Sequence, residues 1–393
     1  ITPMRLSRRA ILAASGLAAL SFPSVAFGQA PGGPRFVLII LRGGLDGLGA
    51  VPAIGDPQFE RAREGLAPPT TGDGAPLPLD GFFALHPALS ETHRLFGAGE
   101  ALIVHAVGTG YRDRSHFDAQ NALEIGLAAP HQRDSGWLNV ALGAMPGTRG
   151  LAVGASSPLA LRGPAPTSSW SPSTLEPPAD DTVMRLQALY AAQDPMLASA
   201  LQAGMETAMV AEDMAMGGGG GRGRVLAPLA RAAGQFLRDP DGPTAAVLEV
   251  GGWDTHVGQA ATLGPLTRAL RSLDEGIGVL RETLGPVWGS SVVAVVSEFG
   301  RTVAMTGSGG SDHGQGSAMM LLGGAVAGGR VLADWPGLER RALVDGRDLA
   351  VTTAMNDVLA GVLQDHLRTP TSALRQSVFP DAALRPVSGL IRG

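Results

Sequence analysis

Residues 291–316 read SVVAVVSEFGRTVAMTGSGGSDHGQG. The first part, 292–296, is an unbroken apolar and β-branched run, the composition of a parallel strand buried on both faces. At its end the character changes at once to Ser297, Glu298, Phe299, Gly300, Arg301 and Thr302. A glycine-rich loop then delivers Asp312, His313 and Gly314. Carboxylate, guanidinium and imidazole are thus placed just past the carboxyl end of a buried strand, where open α/β sheets keep their ligands. The stretch reads as the floor of an active site.

Working outward, the same design recurs twice. Residues 35–41 (RFVLIIL) form a second continuous apolar strand, ending in Arg42-Gly43-Gly44-Leu45-Asp46-Gly47. Residues 245–250 form another, ending in Gly251-Gly252-Trp253-Asp254-Thr255-His256. Strands are also expected at 101–107, 151–153 and 318–322. Helices are expected at 85–96, 119–125, 134–145, 181–216, 225–237, 263–284 and 351–367. Strands alternating with helices predict an α/β fold: a doubly wound, mostly parallel sheet with helices on both faces. Residues 31–393 are expected to form a single domain, with insertions at 52–82 and 158–224. The five glycines at 217–221 lack the Gly-Lys-Ser/Thr of a phosphate loop and read as flexible linker.

Composition removes several function classes. The 393 residues contain no cysteine, which excludes disulfides, thiolate metal sites and cysteine nucleophiles. All 30 basic residues are arginine, so Schiff-base chemistry and a phosphate-loop lysine are excluded as well. The net charge of −5 argues against binding nucleic acid by phosphate neutralisation. The start of the chain reads as an address. Ser7-Arg8-Arg9-Ala10-Ile11-Leu12 resembles a twin-arginine export motif, the apolar segment 10–22 follows, and Ala26-Phe27-Gly28 offers small residues at cleavage spacing. The apolar segment is shorter than the ~20 residues a bilayer span needs, so no stable membrane span is expected. Export by the twin-arginine translocase to the periplasm or beyond is the expectation for residues 1–30. Removing Arg5, Arg8 and Arg9 would take the charge from −5 to −8.

The chemistry rests on a joint pattern. Asp254 and His256, two apart in extended chain, point the same way and can share one metal. Alone, either this pair or Asp312-His313 is ordinary: a capping aspartate, a surface histidine. Glu298 could simply pair with Arg301, and Asp46 could be a plain turn aspartate. Together, three apolar strands end in glycine-containing segments that bear an acid, and two of the three bring a histidine. Ser115-x-x-Asp118 before a helix is a capping-box-like signature. A helix start also presents free N–H groups to an anion, and a metal-activated serine there could attack phosphorus or sulfur, with Arg112 and Arg114 holding the oxygens. Cap and nucleophile both stay open for Ser115. A Gly-x-Ser-x-Gly elbow is absent, which weakens a plain serine esterase, whose turnover would ignore chelators.

In order, these pieces resemble the alkaline phosphatase-like superfamily, which includes sulfatases and cofactor-independent phosphoglycerate mutases. LRGGLDGL at 41–48, GYRDRSHFDAQNALEIG at 110–126, GGWDTH at 251–256, SEFGRT at 297–302 and SDHG at 311–314 resemble more closely an exported bacterial family known as domain of unknown function 1501. The resemblance implies metal-assisted ester hydrolysis. It implies Asp46 as the first-strand metal ligand, Ser115 as nucleophile with Arg114, His116 and Arg301 beside it, and Asp254, His256, Glu298, Asp312 and His313 around the metal. Two departures stand out: Glu298 replaces an aspartate, and Phe299 replaces a metal-binding histidine. One metal position is therefore weakened, lost, or rebuilt with His116 or Asp312. Asp254, His256 and His313 would hold one tight divalent ion (Zn, Mn, Mg or Ca), and Asp46, Ser115 and Glu298 a second, looser one. The expected function is an exported metal-dependent hydrolase of phosphate or sulfate esters, acting on an anionic small molecule or glycan ester. The alternative is a non-catalytic binding or assembly protein that retains the hydrolase fold.

Overall fold

A computed structural model describes residues 33–393 apart from 73, 173–179, 196, 200, 203, 206–224, 260–263 and 382. The expected export segment and the five-glycine run lie outside the described residues. Residues Gly32–Gly393 form one compact unit.

The strands in chain order are β1 (Arg35–Arg42), β2 (Leu77–Pro78), β3 (Ala84–Leu85), β4 (Ala101–Gly108), β5 (Gly150–Val153), β6 (Thr167–Trp170), β7 (Ala245–Gly251), β8 (Ser291–Ser297), β9 (Ser317–Leu322), β10 (Arg330–Leu332) and β11 (Thr353–Ala354). All but the small β2–β3 hairpin join one sheet in the order β10-β4-β9-β8-β1-β7-β5-β6, with β11 also on β4. Every pairing in it is parallel except the two made by β9, which runs against β4 and β8. β1, the first apolar run, sits at the centre between β7 and β8.

Burial explains the continuous apolar runs. Alternate residues of each strand feed two separate cores, one per face of the sheet. Val37, Ile39 and Leu41 join Leu248, Val293 and Val295 on one face, under helices Ala227–Arg238 and Pro265–Leu284. Phe36, Leu38 and Ile40 join Val247, Val292 and Val296 on the other, under helices Trp137–Gly143 and Met355–Asp365. A strand buried on both sides has no polar face to alternate with. The doubly wound, mostly parallel architecture is therefore present as expected.

Element ends differ more. The helix expected over 85–96 starts only at Ser90, because Leu85 closes a short strand and Pro87 follows it. The helix expected over 351–367 is confined to Met355–Asp365, the two residues before it pairing with β4 instead. The helix expected over 134–145 covers Trp137–Gly143. The insertion expected at 158–224 contains β6, an edge strand that the composition hides.

Candidate metal centre

Because β9 alone runs backwards, the carboxyl ends of β1, β4, β7 and β8 and the loop entering β9 all open on one edge of the sheet. The motif segments meet there. Gly43, at φ +126°, lets the turn after β1 pass under the turn after β7: a Cβ on it would stand 2.5 Å from the backbone nitrogen of Asp254. Its own N–H donates to Glu298 Oε1 at 2.8 Å, tying the β1 and β8 ends together.

Three imidazoles and one carboxylate converge on this edge. His313 Nε2 lies 2.9 Å from His116 Nε2 and 3.1 Å from His256 Nε2. Asp254 Oδ1 lies 2.8 Å from His256 Nε2, 3.3 Å from His313 Nε2 and 3.5 Å from His116 Nε2. Asp312 approaches from the side, its Oδ1 3.8 Å from His256 Nδ1. Two of the opposite ring nitrogens are already committed. His116 Nδ1 bonds Glu298 Oε1 at 2.9 Å, and His313 Nδ1 bonds the carbonyl of Arg114 at 3.1 Å. A ring that donates through Nδ1 presents a bare Nε2 lone pair when neutral. Lone pairs crowded at these separations repel one another unless a cation or shared proton lies between them. The ligand atoms of His116, Asp254 and His313, and likewise those of His256, Asp312 and His313, lie within 4.8 Å of one another, so each group could hold a metal ion.

The surroundings tune this cluster. Glu298 is wholly buried; burial works against its charge, but hydrogen bonds from His116 and Gln120 outweigh it and hold the carboxyl below the usual glutamate range. The same bond, ahead of the opposing desolvation, raises the His116 pKa. Burial first, and then the charges of His116 and Arg301, lower that of His313. Arg301, itself buried, donates to Asp254 Oδ1 at 2.5 Å, to the Gly43 carbonyl at 3.3 Å and to both oxygens of Ser311. Burial opposes the Asp254 charge, and Arg301 more than offsets that, so its pKa falls. The Phe299 ring lies 4.8 Å from the His116 ring and 5.1 Å from that of His313, an apolar floor under both.

Placement therefore sorts the expected residues. Asp254, His256, His313 and His116 come together, with Asp312 adjoining. Glu298 is brought to the cluster through His116, as the acceptor behind that ring. Arg301 pairs with Asp254 and not with Glu298. Arg114 does not face the cluster with its guanidinium, which is held by Asp348 at 2.6 and 2.9 Å and by Asp345 at 3.2 Å. Ser115 occupies the N-cap position of helix His116–Ile125, but its side chain makes no capping bond. Asp46 is not brought to the cluster. Its wholly buried carboxylate pairs with Arg63 at 2.6 Å, takes Gly49 N–H at 3.0 Å and accepts from Gln259. The second ligand set of Asp46, Ser115 and Glu298 is thus not assembled among the described residues. Gln259, which links Asp46 to Thr255 and Ser311, lines a separate cavity of about 710 Å³ with His86 and Thr267 on its wall. None of the clustered histidines borders that cavity. The 345–348 turn and Gln259 carried no sequence signal that set them apart from ordinary loop residues.

The family described as "Protein of unknown function (DUF1501)" matches residues 98–374 of the chain. No curated protein matches it. Solved structures similar to it include the soluble domain of lipooligosaccharide phosphoethanolamine transferase A from Neisseria meningitidis, at 11% identity and TM-score 0.40, covering 92% of this chain and 95% of that one. The C-terminal periplasmic domain of EcEptC from Escherichia coli, in complex with Zn, is 8% identical at TM-score 0.39, covering 74% and 73%. Phosphonate monoester hydrolase of Agrobacterium radiobacter is 13% identical at TM-score 0.33, covering 76% and 70%. No helix among the described residues is long and apolar enough to cross a membrane.

Proposed function

The chain belongs to the DUF1501 family, whose description assigns no activity, and from the site itself we propose that it is an exported metal-dependent hydrolase of phosphate or sulfate esters. The observation that supports this reading is the convergence of His116, His256, His313 and Asp254, with the far nitrogens of His116 and His313 tethered to acceptors. Those four residues would hold the divalent ion. When bound, it would supply Lewis acidity and a positive charge to the oxygens of an anionic ester.

The chain's own residues account for the rest of the reaction. Ser115 adjoins His116 at the start of a ten-residue helix, whose first N–H groups favour an anion. Its Oγ forms the bond to phosphorus or sulfur as the bond to the leaving alcohol breaks. The serine proton passes to solvent and the departing alkoxide takes a proton from water. Water then cleaves the covalent ester, returning the serine hydroxyl and releasing phosphate or sulfate. Arg301 and Glu298 act at one remove, holding Asp254 and His116 in place. Turnover of aryl phosphate and aryl sulfate panels, measured with and without chelator, tests this reading. No chelator-sensitive hydrolysis of either class would sink it.

One observation favours the second reading, a non-catalytic exported binding or assembly protein. Three imidazoles and a carboxylate are four protein donors, the number that closes a structural zinc site, whereas catalytic sites keep a position for water. A tightly retained ion in a protein inert toward both panels would establish that alternative.

A further inference from the structure

A four-residue turn that belongs to none of the expected motifs, Asp345-Gly346-Arg347-Asp348, grips both loops that build the metal centre. Asp348 is wholly buried, and its Oδ2 receives Arg114 Nε at 2.9 Å and Nη2 at 2.6 Å. Asp345 adds a contact to the same guanidinium at 3.2 Å. From the next position, Arg347 Nη2 donates to Asp312 Oδ2 at 2.8 Å and to the His313 carbonyl at 2.9 Å. The turn is anchored in its own right. Val344 and Asp348 exchange backbone hydrogen bonds at 2.9 and 3.0 Å, and the Arg347 carbonyl accepts from Val303 N–H at 3.1 Å.

Arg114 is where the grip reaches the site. Its φ is +60°, a backbone conformation that residues with a side chain rarely adopt. In that conformation its carbonyl meets His313 Nδ1 at 3.1 Å. The guanidinium, bound to Asp348, holds the residue there. His313 is therefore fixed from two sides, by Arg114 at the ring and by Arg347 at the main chain and at neighbouring Asp312.

We propose that the 345–348 turn is a positioning clamp for the metal centre: Asp348 through Arg114, and Arg347 through Asp312 and the His313 carbonyl, set the ring orientation and tautomer of His313 so that Nε2 faces the other donors. The proposal rests on the metal-site reading above only for its effect on ion affinity; the tautomer of His313 is set whether or not an ion binds. Asp348, Arg347 and Arg114 are positioning residues in this scheme.

The test uses the full chain, wild type and the variants Arg114→Gly, Arg114→Lys and Asp348→Asn. Glycine adopts the φ of position 114 freely, so Arg114→Gly removes the clamp while leaving the backbone conformation available and guards against misfolding at buried Asp348. Two quantities are read: Zn²⁺ affinity by competition with a chromogenic chelator, and the His313 tautomer from imidazole ¹⁵N shifts in metal-free protein. The expected result is the Nδ1–H tautomer in wild type, a mixture in Arg114→Gly and Asp348→Asn, and Zn²⁺ affinity in those two lower by roughly 10- to 100-fold. Arg114→Lys, which keeps the positive charge, should recover part of both. Wild-type tautomer and wild-type affinity in Arg114→Gly would overturn the clamp. If the wild type binds no Zn²⁺, the metal-site reading fails, and the tautomer comparison still decides the clamp.

Discussion

Glu298 Oε1 accepts a hydrogen bond from His116 Nδ1 at 2.9 Å, and the same oxygen receives the Gly43 N–H and the Gln120 amide. A carboxylate behind a ligating imidazole fixes its tautomer and raises its basicity. Glu298→Gln should therefore weaken divalent-ion binding by roughly 10- to 100-fold while leaving the fold in place. Ion competition alongside circular dichroism checks this. Unchanged affinity would mean that Glu298 only links backbone ends.

Asp46 and Arg63 form an ion pair at 2.6 Å with both side chains almost fully buried. Removing one charge from such a pair strands the other and costs about 3–5 kcal/mol. Asp46→Asn should lower the urea midpoint markedly yet leave ion stoichiometry unchanged, because its carboxylate faces Arg63 and Gln259 and not the histidines. Loss of the bound ion in a folded Asp46→Asn protein would restore Asp46 as a ligand.

Burial lowers the pKa of His366 to about 4, its ring bonded to the Arg35 carbonyl at 2.9 Å. The ordinary value is 6.5, so between these limits the unfolded chain binds a proton that the folded chain does not. Stability from this group is complete above about pH 6.5 and is lost as the pH falls toward 4, a swing of about 3 kcal/mol. His366→Gln, which can still donate to the carbonyl, should flatten the slope of unfolding free energy in that window. An identical slope in the variant would mean that His366 is not buried neutral.

Ser115→Ala should remove turnover on any ester the protein hydrolyses. Because the side chain makes no capping bond, its stability cost should stay below the ~1 kcal/mol of a lost cap. Steady-state rates and thermal melts read the two effects separately. Full activity in the variant would exclude Ser115 as nucleophile.

Arg8→Lys with Arg9→Lys should block export, with cell fractionation as the readout. Normal periplasmic levels of the variant would refute the twin-arginine address.

The main strands were legible because burial on both faces leaves an uninterrupted apolar run, a local signal that needs no knowledge of neighbours. The ends of helices were less so: Pro87 and the pairing of Thr353–Ala354 with β4 trimmed two that looked longer. β6 was hidden because an edge strand of Thr, Ser and Trp, only partly buried, carries no apolar signature.

By itself the sequence determined the doubly wound sheet and the five motif segments that meet at one edge of it. Which donors meet was decided only by the tertiary structure. The backward run of β9 brings His313 to the ends of the parallel strands, and His116, one residue past the serine, turns its ring inward over Phe299 while Glu298 stands behind it. Asp46 and Asp254 both follow a glycine-containing turn at a strand end, and the family resemblance implied a metal ligand at each. What separates them is the partner each meets across the fold, Arg63 for one and the histidines for the other. Local pattern encodes burial, but the pairing of charged side chains depends on distances between segments that no local pattern contains.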